Sequence, residues 1–131
     1  MSRQIIVPPA LPAPRGFNHG ILVRGGALLF LAGQDASDAQ GRIVAPGDVV
    51  AQLEQVLQNL GAVVEAAGGT MRDIVKCTVY VTDRANWQPM NDVYFKNFAE
   101  DPPHRVSCIV AGLGAPECLV EIDATAYLGK D

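Results

Sequence analysis

Residues 48–82 read DVVAQLEQVLQNLGAVVEAAGGTMRDIVKCTVYVT, and midway through them the apolar period changes. Val49, Val50, Leu53, Val56, Leu57, Leu60, Val63, Val64 and Ala67 recur three and four apart, which gathers them on one stripe of a helix. Asp48 can cap its start, and Gly68-Gly69 can end it. Beyond the glycines the pattern alternates. From Ile74 to Thr82, Val75, Cys77, Val79 and Val81 face one way while Lys76, Thr78 and Tyr80 face the other, as in a half-buried strand. A helix with one apolar stripe followed closely by such a strand calls for helix packed on sheet.

On the N-terminal side, Ile21–Arg24 and Ala27–Gly33 are apolar runs joined by Gly25-Gly26. That spacing predicts a tight hairpin, because primed turns need positive φ at the corner. Pro8–Pro14, with four prolines in seven residues, reads as an extended arm, and Gly33–Gly47 as a surface loop. On the C-terminal side a second helix is expected from Trp87 to Phe98, capped by Asn86, with Pro89 in the first turn. Trp87, Met90, Tyr94 and Phe98 form its apolar stripe, and Asn91 falls within roughly forty degrees of Trp87 on that face. Two strands follow, Arg105–Ala111 and Cys118–Leu128. The predicted order is β-β-α-β-α-β-β, a single α+β domain over residues 1–131: one layer of mixed sheet with two helices on one face. The other sheet face mixes polar and apolar groups, which predicts burial against further copies of the chain.

Bulk properties exclude several function classes. The net charge is −4 and the ten basic residues are scattered, which opposes nucleic-acid binding. No apolar run approaches the ~18 residues of a membrane span. The start, Met1 to Pro9, is too short and Pro-rich for a secretory signal, so a soluble cytoplasmic protein is expected. Cys77, Cys108 and Cys118 form no C-x-x-C pair and read as free thiols in a reducing compartment. With only His19 and His104 as imidazoles, no zinc site of ordinary spacing can be assembled, and neither metal nor cofactor is expected.

The last strand is the most informative for chemistry. Cys118, Val120, Ile122, Ala124, Ala126 and Leu128 point one way; Leu119, Glu121, Asp123, Thr125 and Tyr127 point the other. Taken alone, Glu121 and Asp123 fit a solvated face; the sharper reading makes one acid a general base in a cleft. Arg105, at a strand start after Asp-Pro-Pro-His, reads either as a surface charge or as a fixed guanidinium fork for a carboxylate, on a face shared with Ser107, Ile109 and Ala111. Asn91 either satisfies a nearby loop or contacts substrate. His19 and His104 read as loop residues. The three cysteines fall on apolar phases and read as core hydrophobes. No nucleophile triad, P-loop or dinucleotide pattern is present.

Taken together, these stretches resemble the YjgF/RidA (reactive intermediate deaminase) family over nearly the whole chain. The resemblance rests on Gly33-Gln34, Val56–Leu60 running into Glu65–Gly68, Asp73–Asp83, Met90–Tyr94, Pro103-His104-Arg105 and Leu119–Ala124, in order and with family spacing. It implies a chorismate-mutase-like subunit, a homotrimer whose sheets line a central barrel, and active sites between subunits. It further implies cofactor-independent hydrolysis of enamine or imine acids to a keto acid and ammonia. Arg105 then stands where the family grips the substrate carboxylate, and Glu121 where it positions water. Phe17, Ala32, Gly33, Asn91 and Ser107 become substrate-site positions. Several depart from the family pattern: Phe17 replaces a tyrosine, Ala32 a serine, Ser107 a cysteine of some members, and Val106 a small polar residue. The turn Gly114–Glu117 is one residue longer than in typical 2-aminoacrylate deaminases. These departures leave two substrates open, 2-aminoacrylate and the vinylogous 2-aminomuconate. The alternative of another class is a non-catalytic trimeric module that binds small carboxylates or acts as a chaperone.

Overall fold

The computed structural model describes residues 2–14 and 17–129. In chain order the elements are strands β1 (Ser2–Ile6), β2 (Gly20–Arg24) and β3 (Ala27–Gln34), helix α1 (Val49–Ala66), strand β4 (Ile74–Val81), helix α2 (Trp87–Asn97), and strands β5 (His104–Ile109) and β6 (Val120–Leu128). The four-stranded sheet runs β3-β6-β4-β5. Strand β4 is antiparallel to β6 and parallel to β5, so β4-α2-β5 is the crossover unit that a parallel pair requires. This is the expected mixed sheet with both helices on one face.

Helix α1 begins and ends as its sequence dictates. The Asp48 side chain accepts from the Ala51 amide. At the other end Gly68, at φ 88°, lets Gly69 N–H reach the Val64 carbonyl and Gly68 N–H the Glu65 carbonyl, a Schellman ending. The stripe Leu53, Val56, Leu60 and Val64 is fully buried against Val79, Val81, Val120 and Ile122 of the sheet.

Within the buried stripe of α1 sits one polar residue that periodicity does not flag. Gln52 is completely buried. Its amide nitrogen donates to the carbonyls of Glu117 (2.8 Å) and Ala45 (3.3 Å), and its carbonyl accepts from the Leu119 amide at 2.8 Å. It thereby pins the chain entering β6 to the loop before α1. Gln52→Leu keeps the bulk but removes three hydrogen bonds to partly buried or exposed backbone groups; a loss of about 1–3 kcal/mol is expected in denaturant unfolding.

Three expectations change. The chain carries an additional strand, β1, before the proline segment, and β2 pairs with it rather than with β3. Gly25 and Gly26 do adopt positive φ, but for another reason. A Cβ on Gly26 would lie 2.6 Å from the Leu128 carbonyl and 2.8 Å from the Tyr127 ring, while the Tyr127 hydroxyl donates to the Arg24 carbonyl at 2.6 Å. The corner passes closely over the end of β6 instead of closing a hairpin. Second, the proline segment is not extended throughout, since the Leu11 amide turns back to the Pro8 carbonyl. Third, Cys108 pairs with Tyr80 and so lies on the sheet face away from the helices, whereas Cys77 is fully buried beneath them. All three cysteines are free, as expected. Among the described residues no helix is long and apolar enough to cross a membrane.

Candidate functional site

Arg105 sits near the start of the edge strand β5, in register with Cys77 of β4 and therefore on the helix side of the sheet. Its side chain turns beneath α2. Nε donates to Ser107 Oγ at 2.6 Å, and Nη2 donates to Asn91 Oδ1 and lies 3.8 Å from Met90 Sδ. The guanidinium carbon stands 4.4 Å from the centre of the Tyr94 ring and 5.9 Å from that of Phe95. Every one of these neighbours is neutral. The ion pairs among the described residues, Arg42–Asp38 and Arg72–Glu100, lie elsewhere. Burial pushes the guanidinium below its ordinary pKa. A half-buried cation with neutral partners can accept an external anion, because removing charge from water is costly until a counter-charge arrives.

Glu121 lies on the opposite sheet face, in register with Tyr80. It borders a cleft of about 350 Å³ lined by Gly33, Tyr80, Val110, Gly112, Leu113 and Asp123. Gly33 makes room for it: a Cβ there would stand 2.6 Å from Glu121 Oε2. Burial, and then the nearby carboxylates of Asp35 and Asp123, raise the Glu121 pKa above the ordinary glutamate value. The Tyr80 hydroxyl donates to Asp123 Oδ2 at 3.4 Å, and the Asp123 charge raises the Tyr80 pKa. Asp35 is held in place by the amide and hydroxyl of Ser37.

The residues singled out by sequence therefore fall into two groups. Arg105, Asn91 and Ser107 form one contacting cluster, and Gly33 and Glu121 form another. One subunit does not join them, since β4 and β6 separate β5 from β3 and the two clusters face opposite ways. Arg105 and Glu121 are thus not on adjacent strands of the sheet. Ala32 is exposed on β3, and Phe17 stacks edge-on against His19 at 5.3 Å, within the segment before β2. His104 opens β5 rather than lying in a loop, and its Nδ1 is buried with no hydrogen-bond partner among the described residues. Periodicity missed Tyr94, Tyr80 and Asp35. Tyr94 was absorbed into an apolar stripe, although its aromatic face three residues after Asn91 was the available signal.

Comparison with known proteins agrees with this architecture. The family model described as Endoribonuclease L-PSP matches residues 9–128. A RutC family protein of Pyrococcus horikoshii is 37% identical over 125 residues, covering 95% of this chain and 98% of that one. The structure of YyfB from Yersinia pestis, a member of the conserved Rid family described as of unknown function, superposes with a TM-score of 0.87. It is 36% identical, over 98% of this chain and all of that one. The YjgF gene product of Escherichia coli superposes with a TM-score of 0.69 at 34% identity, over 81% of this chain and 84% of that one.

Proposed function

We propose, on the premise that this chain belongs to the YjgF/RidA family, that it hydrolyses reactive enamine or imine acids to a keto acid and ammonia. The observation that carries the reading is Arg105: a half-buried guanidinium held by neutral groups and lacking a carboxylate partner among the described residues. Its Nη1 donors, free of protein acceptors among the described residues, can grip a substrate carboxylate by charge-assisted hydrogen bonds. Glu121, with its raised pKa, is the base that orients or deprotonates water. After the enamine tautomerises to the imine, this water adds to the C=N carbon. The resulting carbinolamine collapses, the C–N bond breaks and ammonia leaves. Imines already hydrolyse in water, so orientation and one base are sufficient.

Since Arg105 and Glu121 lie on opposite faces of one sheet, the reading places the active site between two copies, Arg105 from one and Glu121 from the next. An exposed apolar strip supports such assembly: Phe30 is 76% exposed and Leu28 52%, both on the face turned from the helices. A homotrimer is the arrangement the family resemblance implies. Among the described residues the Glu121 cleft has no basic lining residue, and it carries two carboxylates. A second substrate carboxylate would be repelled there, which favours a monocarboxylic substrate of the 2-aminoacrylate kind over 2-aminomuconate. The same acids, with a net charge of −4, disfavour the RNA cleavage named by the family model.

Ammonia release from enzymatically generated 2-aminoacrylate, measured beside the solution mass, tests the reading. A several-fold acceleration by a species of three times the 13.9 kDa chain mass is expected. A release rate equal to the uncatalysed one would exclude the activity.

A further inference from the structure

Among the described residues, the cation at Arg105 is held without an acid. A carboxylate beside it would fix the side chain well, yet it would also neutralise the charge and compete with any incoming anion. The arrangement around Arg105 solves both problems with neutral groups. Ser107 and Asn91 fix Nε and Nη2 in the guanidinium plane. Nothing in that plane sets the tilt of the fork, and this is where Tyr94 stands. Its ring centre lies 4.4 Å from the guanidinium carbon, and it is fully buried beside Phe98, 4.7 Å between ring centres. It is a rigid floor.

We propose that Tyr94 is a positioning residue whose ring face holds the Arg105 guanidinium by a cation–π contact, leaving the full charge for the substrate carboxylate. The proposal rests on the reading of Arg105 as the carboxylate clamp. The π-face of an aromatic ring attracts a cation electrostatically but carries no net charge, so it orients without neutralising. Phe95, 5.9 Å from the same carbon and partly exposed, makes a weaker second wall. The phenol hydroxyl does not take part. It is buried without a hydrogen-bond partner among the described residues, close to the buried thiol of Cys77. The ring is the functional part, and the hydroxyl is a liability that a phenylalanine would relieve.

The test reads carboxylate binding directly, by NMR titration of the full-length protein with propionate. Tyr94→Phe is expected to bind propionate within twofold of wild type and to melt at the same temperature or higher. Placing pentafluorophenylalanine at position 94 nearly preserves the volume but reverses the ring's electrostatic face; roughly a tenfold loss of affinity is expected. Phe95→Leu, at a partly exposed position, is expected to lose roughly two- to threefold. In the deaminase assay the fluorinated protein should show its defect as a raised KM, with kcat falling less. Wild-type affinity in the pentafluoro protein would overturn the proposal. So would a tenfold loss in Tyr94→Phe, which would assign the role to the hydroxyl. Because propionate binding needs no turnover, a protein that binds it in this pattern but releases no ammonia would defeat the deaminase reading and leave the Tyr94 floor standing.

Discussion

Arg105→Ala is expected to lower kcat/KM for an enamine acid by roughly 100-fold while the protein remains folded. The magnitude follows from what the side chain can offer. Two hydrogen bonds from a cation to a carboxylate contribute about 1.5–3 kcal/mol each, and part of that is recovered by water when the arginine is absent. The loss should appear in both constants: in KM because the carboxylate is no longer held, and in kcat because the C=N carbon is no longer presented to water in a fixed orientation. Arg105→Lys is a sharper version of the same measurement. It restores the charge but not the fork, and a lysine cannot bond Ser107, Asn91 and a carboxylate in one plane, so it should recover only a small part of the loss. Stability should change little. Removing the side chain gives up its contacts with Tyr94 and Asn91 but also ends the desolvation of an unpaired charge. Initial rates of ammonia release, with circular dichroism as the control for folding, decide the matter. An unchanged kcat/KM would remove Arg105 from the site.

How far the sequence could lead to this site is best seen in particular residues. The phase of β6 was readable because strand alternation is local: Val120, Ile122, Ala124 and Ala126 are buried and Glu121, Asp123 and Thr125 are on the other face, as the spacing required. The limits of α1 were readable because Asp48 and Gly68 act on their own neighbours. What escaped was set by groups distant in the chain. Strand β1 is short and mixed in character, and it is held in place through Arg3, which reaches the carbonyls of Arg72 and Asp101. The Gly25-Gly26 corner has the positive φ of a hairpin turn, but β2 pairs with β1 and the corner passes close to Tyr127 and Leu128. Most consequential is the relation between Arg105 and Glu121. Strand periodicity gives each residue a face within its own strand, but only the register through β4 tells whether the two faces coincide, and they do not. A resemblance in sequence could name both residues; the sheet turns them to opposite faces, which is why the proposed site takes them from two copies.

Glu121→Gln is expected to trade activity for stability. The folded protein raises the pKa of Glu121, first by burial and then through the charges of Asp35 and Asp123. A carboxyl group whose pKa is raised by folding favours the fold while it is protonated, and this contribution is complete below the unfolded glutamate value of ~4.3. It is lost as pH rises through the folded value, where ionisation places a charge among like charges. Above the folded value the charged Glu121 therefore opposes folding, and there the neutral glutamine should raise the melting temperature by a few degrees. At a pH below about 4 the two proteins should melt together, since wild type is then neutral at this position too. Activity should move the other way. Glutamine can orient a water but cannot take its proton, so kcat should fall by roughly 100-fold, the lower end of what a general base contributes. The pH profile distinguishes this account from simple damage to the cleft. Wild-type kcat should rise along an acid limb whose midpoint lies above an ordinary glutamate, and that limb should be missing in Glu121→Gln. A variant that gains stability at neutral pH yet keeps its acid limb would show that Glu121 is a strained carboxylate beside the reaction, with the base to be sought at Asp123 or Asp35.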